Sequence, residues 1–444
     1  MNLMQEFDTI AAISTPFGTG GIGVIRLSGS DSFKIIEKIF RGKISKNGIS
    51  HGWLVDGDTK IDEVIILEFE NPNSYTGEDV AEIQCHGGIN VVNNVLKLVL
   101  KNGARMAEKG EFTKRAFLNK KMDLSQAEAV ADLIHSKTSK FAVVSAQNLS
   151  GHLAKKISEM RENLVELLSR IVAGIDFPED VAEPEYDYLK ENTEKIISDI
   201  DKILKEANAS NIMRNGVSVA VIGKSNVGKS SLFNALLNVE RAIVTDIEGT
   251  TRDTLRETLD LGAPVTLIDT AGFRNAEDIS KVEAIGIEYS KQALEEASVV
   301  LFVYDAREGL SDEVNSYVLD LTKGKKTIIA ANKCDLTDKR ECDKLYISAL
   351  TGEGLEELKE KIKECISELT TENIDYATNL RQQDCLTKAK ESLSQALEGI
   401  KNEELQDLIS IDIKAALLAL DELSGEVITD EILNNIFDNF CIGK

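Results

Sequence analysis

The segment GKSNVGKS, residues 223–230, has the residue types and spacing of a phosphate-binding loop. It follows the apolar run VSVAVI and precedes SSLFNALL, an order typical of a strand, a glycine loop and a helix. Backbone N–H groups of such a loop can surround phosphates, while Lys229 reaches the outer phosphates and the Ser230 hydroxyl ligates Mg²⁺. The alternative is a glycine turn before an ordinary helix, but the flanking runs favour a nucleotide site.

Three later segments indicate that the nucleotide is GTP. In DTAG, residues 269–272, the Asp269 carboxylate can hold the metal through its hydration shell, and the Gly272 N–H can sense the γ-phosphate. In NKCD, residues 332–335, Asp335 can accept from both the ring N–H and the exocyclic amine of guanine, a pair that adenine lacks. SAL, residues 348–350, follows in the order expected for N–H groups near the guanine carbonyl. The ordered set resembles a Ras-like GTPase.

A fourth segment, TDIEGTTRD, lies where a GTPase needs a switch loop, although a surface turn is an alternative. Its Thr251 hydroxyl can complete the Mg²⁺ coordination. The residues predicted to bind GTP are Asn226, Val227, Gly228, Lys229, Ser230, Ser231, Thr245, Asp246, Ile247, Glu248, Gly249, Thr250, Thr251, Asp269, Thr270, Ala271, Gly272, Asn332, Lys333, Asp335, Ser348, Ala349 and Leu350.

One position departs from Ras. Phe273 stands after DTAG, where Ras-like enzymes use a glutamine to orient the attacking water. A phenyl ring cannot position water by hydrogen bonding, and no finger arginine is identifiable. We therefore expect a monovalent cation, held by the Asn226 side chain and by carbonyls of residues 245–250, to supply the missing positive charge.

The chain has 444 residues, with 51 basic and 75 acidic residues and a net charge of −24. This charge argues against a whole-protein electrostatic grip on nucleic acid or anionic membrane. Residues 1–120 hold 14 basic and 15 acidic residues, so a nucleic-acid contact is expected nearer this end. The six cysteines form no C-x-x-C pair, and neither a secretion signal nor a membrane-spanning run is evident. These features favour a cytoplasmic protein.

Hydrophobic patterning divides the chain into four segments. Residues 1–118 mix short strand-like runs with helices near 31–40 and 89–102, which predicts an α+β domain. Residues 119–212 have helical spacing, broken at DFPEDVAEPE. Residues 213–370 alternate strand-like and helical runs in α/β order, and helical spacing returns over 371–444. We therefore predict a GTPase domain inserted into an all-α domain.

The whole chain resembles the MnmE (TrmE) family of tRNA modification GTPases. The resemblance rests on the GTPase motifs together with DTIAAISTPFGTGGIGVIRLSG, SYTGEDVAEIQCHGG, GEFTKRAFLNKKMDLSQAEAVADLI and the final FCIGK. It implies a multidomain α/β and α+β protein: an N-terminal α+β folate-binding-like and dimerisation domain, and a Ras-like P-loop GTPase domain inserted into an all-α helical domain. Ser225 and Lys109 stand where the family usually has proline, and both changes are expected to be tolerated.

The resemblance also implies functional residues. Potassium would be bound by Asn226, Thr245, Ile247 and Thr250, and Mg²⁺ by Ser230 and Thr251. The catalytic candidates are Glu283, which would orient water indirectly, Lys229 and Cys441. A 5-formyl-tetrahydrofolate or related one-carbon folate would be bound by Arg26, Glu82, Lys121 and Lys444, although Arg26 and Glu82 taken singly are more typical of polar residues on a strand face.

FCIGK has an alternative interpretation as a C-a-a-X prenylation signal. Lys444 at its last position argues against this, because the usual residues there are Ser, Met, Gln, Ala, Leu or Phe. Cys441 is then either a reactive thiol or a small apolar plug at a helix end, and its residue type favours the plug. Cys85 and His86 are adjacent, but a metal site is not favoured because no further ligands stand at suitable spacing.

The implied activity is a potassium-activated GTPase. With the flavoprotein MnmG and a folate donor, it would add an aminomethyl or carboxymethylaminomethyl group at carbon five of the wobble uridine of certain tRNAs. The implied partners are a second copy in a homodimer, MnmG in a heterotetramer, and tRNA, with no membrane. A ribosome-assembly GTPase is the alternative, and it should carry an RNA-binding module after the GTPase domain. A septin-like or dynamin-like GTPase would need a membrane anchor.

Overall fold

The computed structural model describes residues 8–42, 48–224, 226–239, 256–261, 264–269, 297–308, 310, 322, 325–337, 344–369 and 374–444. The chain forms two compact units. One unit comprises residues 1–134, 148–196 and 385–444, and the other comprises residues 135–147 and 197–384.

The strands and helices of the described residues are numbered here in chain order. The strands are β1 Ile10–Ile13, β2 Ile22–Ser28, β3 Phe40–Gly42, β4 Ile49–Asp56, β5 Thr59–Phe69, β6 Val80–His86, β7 Arg105–Met106, β8 Val217–Ile222, β9 Arg256–Asp260, β10 Pro264–Asp269, β11 Val299–Asp305, β12 Lys326–Asn332 and β13 Leu345–Tyr346. The helices are α1 Ser32–Ile39, α2 Ile89–Lys101, α3 Glu111–Leu118, α4 Leu124–Ile134, α5 Ser139–Leu149, α6 His152–Asp176, α7 Tyr186–Lys205, α8 Ala207–Asn215, α9 Lys229–Val239, α10 Leu355–Leu369, α11 Leu380–Lys401, α12 Gln406–Ser424 and α13 Asp430–Phe437.

The first unit contains a seven-stranded sheet in the order β3-β4-β5-β6-β2-β1-β7. The pairs are antiparallel except β1 with β7, which is parallel. Along β2, Ile25 and Leu27 are buried in a core that includes residues of α1 and α2. Side chains alternate along a strand, so Arg26 lies on the opposite face of the sheet.

The same unit contains long helices with the predicted spacing. In α6 the buried positions recur every three or four residues, as at Leu153, Ile157 and Met160. This helix packs against α12, where Arg161 Nε lies 2.6 Å from Asp421 Oδ1. The predicted break is present, because α6 ends at Asp176 and α7 begins at Tyr186.

Helix α13 anchors the last residues of the chain. The Thr429 side chain accepts a hydrogen bond from the Ile432 N–H and caps its first turn. Phe437 and Phe440 then pack in one apolar cluster with Leu124 of α4 and with its neighbours, their ring centroids 5.1 Å apart. This packing directs residues 441–444 toward the amino-terminal sheet.

The second unit contains a six-stranded sheet in the order β13-β12-β11-β8-β10-β9. All pairs are parallel except β9 with β10. Every residue of β11 is buried, as expected for a parallel strand covered on both faces. The predicted fold class is confirmed, with an α/β module placed in sequence between helical segments and an α+β domain before them. The boundaries at 118, 212 and 370 stay predictions.

Candidate functional site

The phosphate-binding segment joins β8 to α9. Gly223, at φ +154°, lies so close to the Val303 carbonyl that a Cβ atom there would overlap it. Gly228 has φ +93°, and a Cβ atom there would overlap the Nδ2 of Asn332. The Lys229 ammonium donates to the carbonyls of Gly223 at 2.8 Å and of Lys224 at 2.7 Å. The glycines therefore form a tight loop with Lys229 folded over it, at the positive end of a helix.

The guanine motif meets this loop through Asn332 at the end of β12. The Asn332 Nδ2 donates to the Val227 carbonyl at 2.8 Å, and its Oδ1 accepts from the Ala349 N–H at 3.1 Å. Asn332 is 2% exposed, so both contacts are shielded from water. Asp335 lies in the 3-10 helix Cys334–Leu336 that follows directly. One buried amide thus joins the segments that the sequence predicts for phosphate, guanine base and guanine carbonyl.

Ser230 and Ser231 lie exposed in the first turn of α9, and Leu350 is also exposed. The backbone of Asp269 ends β10, on the strand next to β8. The other predicted switch and catalytic residues lie outside the described residues: Thr245, Asp246, Ile247, Glu248, Gly249, Thr250, Thr251, Thr270, Ala271, Gly272 and Glu283. Ser225 and Phe273, the departures from the family and from Ras, also lie outside them.

A second constellation lies in the first unit, on the sheet face opposite α1 and α2. Arg26 and Glu82 are cross-strand partners on β2 and β6. The Arg26 Nη2 and Nε lie 2.7 and 2.8 Å from Glu82 Oε1, and the two side chains are only 16% and 18% exposed. The guanidinium lies over the rings of Tyr75, at 5.2 Å from the centroid, and Phe112, at 5.8 Å. The result is a half-buried ion pair walled by two aromatic rings.

The last residues of the chain reach this pair. Ile442 bridges to Lys109, and the Phe112 N–H donates to the Lys444 carbonyl at 3.2 Å. The Ser14 hydroxyl donates to the Gly443 carbonyl at 3.3 Å. Gly443 has φ +97°, and a Cβ atom there would overlap the Ile13 carbonyl. Residues 441–444, here called the tail, are therefore held between the end of β1 and the start of α3.

The Lys444 ammonium interacts electrostatically with the Arg26–Glu82 pair. Burial lowers the pKa of Lys444, the positive charge of Arg26 lowers it further, and Glu82 opposes the change. The structure therefore brings together three of the four residues predicted to bind folate. The fourth, Lys121, donates to the Pro72 carbonyl at 3.0 Å, and its side chain lies against Gly77. It thus contacts the loop that carries Tyr75.

Sequence reasoning missed the two aromatic walls. The Tyr75 hydroxyl lies 2.8 Å from Thr113 Oγ1, and burial raises the pKa of Tyr75. Phe112 is fully buried. Both stand inside the segments SYTGEDVAEIQCHGG and GEFTKRAFLNKKMDLSQAEAVADLI, which also carry Glu82 and Lys121, but their contact with Arg26 is visible only in the structure.

The structure shows the surroundings of two cysteines that the sequence analysis discussed, Cys441 and Cys85. Cys441 is exposed, so the prediction of a buried plug is wrong. Cys85 is buried, where its Sγ contacts the Gly23 carbonyl, and burial raises its pKa to about 11. The His86 Nδ1 instead lies 2.7 Å from Asp62 Oδ1. Within the part of the chain that the structure describes, no group of three or more His, Cys, Asp and Glu side chains could hold a metal ion.

Comparison with known proteins agrees with this geometry. The family model of the MnmE helical domain matches residues 124–441, and that of the GTP-binding protein TrmE N-terminus matches residues 9–121. A tRNA modification GTPase MnmE from Thermoanaerobacter sp. (strain X514) is 44% identical over 461 aligned positions, which cover 99% of this chain and 100% of the relative. The corresponding protein of Clostridioides difficile (strain 630) is 43% identical, covering 98% and 99%.

This chain belongs to the MnmE (TrmE) family of tRNA modification GTPases. As a member of this family it binds and hydrolyses GTP and acts in tRNA modification. Among solved structures, the G domain of the FeoB iron transporter of T. maritima is 31% identical and covers 34% of this chain and 98% of that chain, with a TM-score of 0.26. The family assignment rests on the family models and the full-length relatives. Over the described residues, no helix combines the length and apolarity that a membrane span requires.

Proposed function

We propose that this GTPase adds an aminomethyl or carboxymethylaminomethyl group at carbon five of the wobble uridine of certain tRNAs, using a one-carbon folate and the flavoprotein MnmG. It acts as a homodimer, forms a heterotetramer with MnmG, and works in the cytoplasm. The observation that carries this proposal is the Arg26–Glu82 pair enclosed by Tyr75, Phe112 and the tail.

The residues present fit 5-formyl-tetrahydrofolate. A carboxylate such as Glu82 can accept from the amine and ring N–H of a pterin, and the ring of Tyr75, which is partly exposed, can pack against the pterin ring. Arg26 is already paired with Glu82, so its charge orients that carboxylate. Lys444 and Lys121 are then the cations that suit the folate's own carboxylates. When bound, the folate supplies the one-carbon unit.

The residues of the phosphate-binding loop fit the proposed metal ions in part. Ser230 in the first turn of α9 stands where its hydroxyl can ligate Mg²⁺, with Thr251 as the second protein ligand. Asn226 has φ +63°, a left-handed conformation that asparagine tolerates better than most non-glycine residues. Its side-chain carbonyl suits potassium together with Thr245, Ile247 and Thr250. Glu283 is proposed to orient the attacking water indirectly.

The ribosome-assembly alternative is less well supported. Such a protein should carry an RNA-binding module after its GTPase domain. The described residues after 374 instead form α11, α12 and α13, and the last of these leads into the tail.

A complementation experiment tests the proposal. A strain lacking this protein is supplied with the wild type, with Glu82→Gln, or with Glu63→Gln, and its tRNA nucleosides are measured by mass spectrometry. Glu63 is a matched control, since it lies on the same sheet, is about half exposed, and forms an ion pair with the exposed His51 at 3.6 Å. We expect the modified uridine to be lost with Glu82→Gln and retained with Glu63→Gln. Normal modification by Glu82→Gln would contradict the folate site.

A further inference from the structure

Strand β11 ends at Asp305, an aspartate that lies outside all of the GTP-binding motifs. Asp305 is 3% exposed, and the Ala306 N–H donates to the Asn332 carbonyl at 2.8 Å, so this strand end abuts the guanine motif. A buried carboxylate costs free energy unless it is paired, so its partners indicate what it does.

The Asp305 carboxylate has two cationic partners. Arg307 donates through Nη2 to Oδ2 at 2.7 Å and through Nε to Oδ1 at 2.9 Å, and its backbone N–H adds a bond to Oδ1 at 3.0 Å. The Lys333 Nζ lies 3.0 Å from Oδ2. The Arg307 hydrogen bond, followed by the contributions of Lys333, holds the pKa of Asp305 well below its usual range. The carboxylate is therefore ionised at every pH at which the enzyme would be assayed.

Lys333 connects this carboxylate to the phosphate-binding loop. It has φ +64°, and its ammonium donates to the Asn226 carbonyl at 2.6 Å. A left-handed backbone is unfavourable for lysine and persists only where the surrounding contacts hold it. The Lys333 ammonium has three N–H donors, and two of them are used by Asp305 and the Asn226 carbonyl. These two contacts fix the long side chain across the guanine motif.

We propose that Asp305 is a positioning residue of the guanine-nucleotide site, which holds Lys333 against the Asn226 carbonyl without itself touching the nucleotide. The inference builds on the GTPase activity of the family and adds a residue outside the recognised motifs. Without the carboxylate, Lys333 regains rotamer freedom that nucleotide binding must then remove. The loss should appear in nucleotide affinity and not in the chemical step, because among the described residues Asp305 contacts neither Lys229 nor Ser230, the proposed Mg²⁺ ligand.

The first test is Asp305→Asn, with Glu308→Gln as the matched control. Glu308 is also acidic and lies 3.6 Å from a lysine of the loop, Lys224, but it is half exposed. Because Asp305→Asn loses a charge-assisted hydrogen bond, we expect its dissociation constants for GDP and GTP to rise about tenfold or more. Its kcat at saturating GTP should stay within about twofold of wild type. Glu308→Gln should leave both quantities within about twofold. A fall in kcat at unchanged affinity would overturn the proposal.

A double-mutant cycle with Lys333→Ala separates positioning from general destabilisation. If Asp305 acts through Lys333, the double variant should bind GDP no more weakly than Lys333→Ala alone. Additive losses would overturn the proposal. Asp305→Glu keeps the charge and covers the case in which Asp305→Asn does not fold. This variant should bind GDP more tightly than Lys333→Ala does. A folded Asp305→Glu protein that binds GDP as weakly as Lys333→Ala would also overturn the proposal.

Discussion

The guanine-nucleotide site and the Arg26–Glu82 pocket are assembled in different ways. In the nucleotide site, the predicted GTP-binding residues lie in short segments at the ends of parallel strands, and glycine backbone conformations shape the phosphate-binding loop. In the pocket, residues from β2, β6, α3 and the tail meet only through folding, and the Ser14–Gly443 hydrogen bond joins residues 429 positions apart. A local motif can thus reveal the first site, whereas the second requires tertiary structure.

The largest expected effect concerns the cation at the nucleotide site. A well-placed positive charge is worth about 10³ to 10⁵ in the rate of related GTPases. We expect GTP hydrolysis to be faster in potassium than in sodium by up to about 10³-fold, and Asn226→Ala to remove most of the difference. Steady-state rates at matched ionic strength measure this. Equal rates in the two salts would contradict a specific role of potassium at this site.

The Asp335→Asn variant tests whether recognition of the guanine base depends on one side chain. Asp335→Asn replaces an acceptor by a donor, so one of its two bonds to guanine is lost and the guanine donor is left unpaired. GTP affinity should fall about 10²-fold, and xanthosine triphosphate should become the better ligand. Competition titrations with the two nucleotides check the preference. Unchanged preference for GTP would remove Asp335 from the guanine site.

The Gly443→Ala variant tests whether folate binding in the pocket depends on the position of the tail. In Gly443→Ala the new Cβ atom meets the Ile13 carbonyl, and alanine is strained at φ +97°. Gly103→Ala is a matched control, because Gly103 has φ +117° but no atom near its Cβ position. We expect folate affinity to fall about tenfold for Gly443→Ala alone, since the displaced tail removes one charged contact. If both variants lowered folate affinity equally, backbone strain alone would explain the loss and the position of the tail would not.

The smallest expected effect is a pH dependence of folate binding. Because the pKa of Lys444 is lowered, this amine loses its proton at a lower pH than an exposed lysine does. A carboxylate of the ligand stabilises the charged form, so binding takes up a proton, and affinity should fall as the pH rises through the lowered pKa. Lys444→Arg stays charged and should bind with little pH dependence over the same range. Parallel profiles for the two proteins would contradict a charged role for Lys444.

The sequence predicted the fold class and the order of the nucleotide motifs because strand, loop and helix patterns are local. It also predicted helical structure before the break at DFPEDVAEPE, where α6 lies, since the buried positions of this helix recur at helical spacing. Tyr75 and Phe112 escaped prediction because an aromatic residue carries no sign of which cation it covers. The exposure of Cys441 was wrongly predicted because residue type favours burial, whereas the bridge between Ile442 and Lys109 holds the tail with the Cys441 thiol exposed.

The central claim is that the molecule contains two separate sites, one for GTP and one completed by the tail. Titration of GDP and of 5-formyl-tetrahydrofolate into both Lys444→Ala and Asp335→Asn tests it most directly. The account predicts that Lys444→Ala weakens only folate binding and Asp335→Asn weakens only GDP binding, each by about tenfold or more, with the other affinity within about twofold. Loss of GDP affinity in Lys444→Ala, or unchanged folate affinity in that variant, would contradict it.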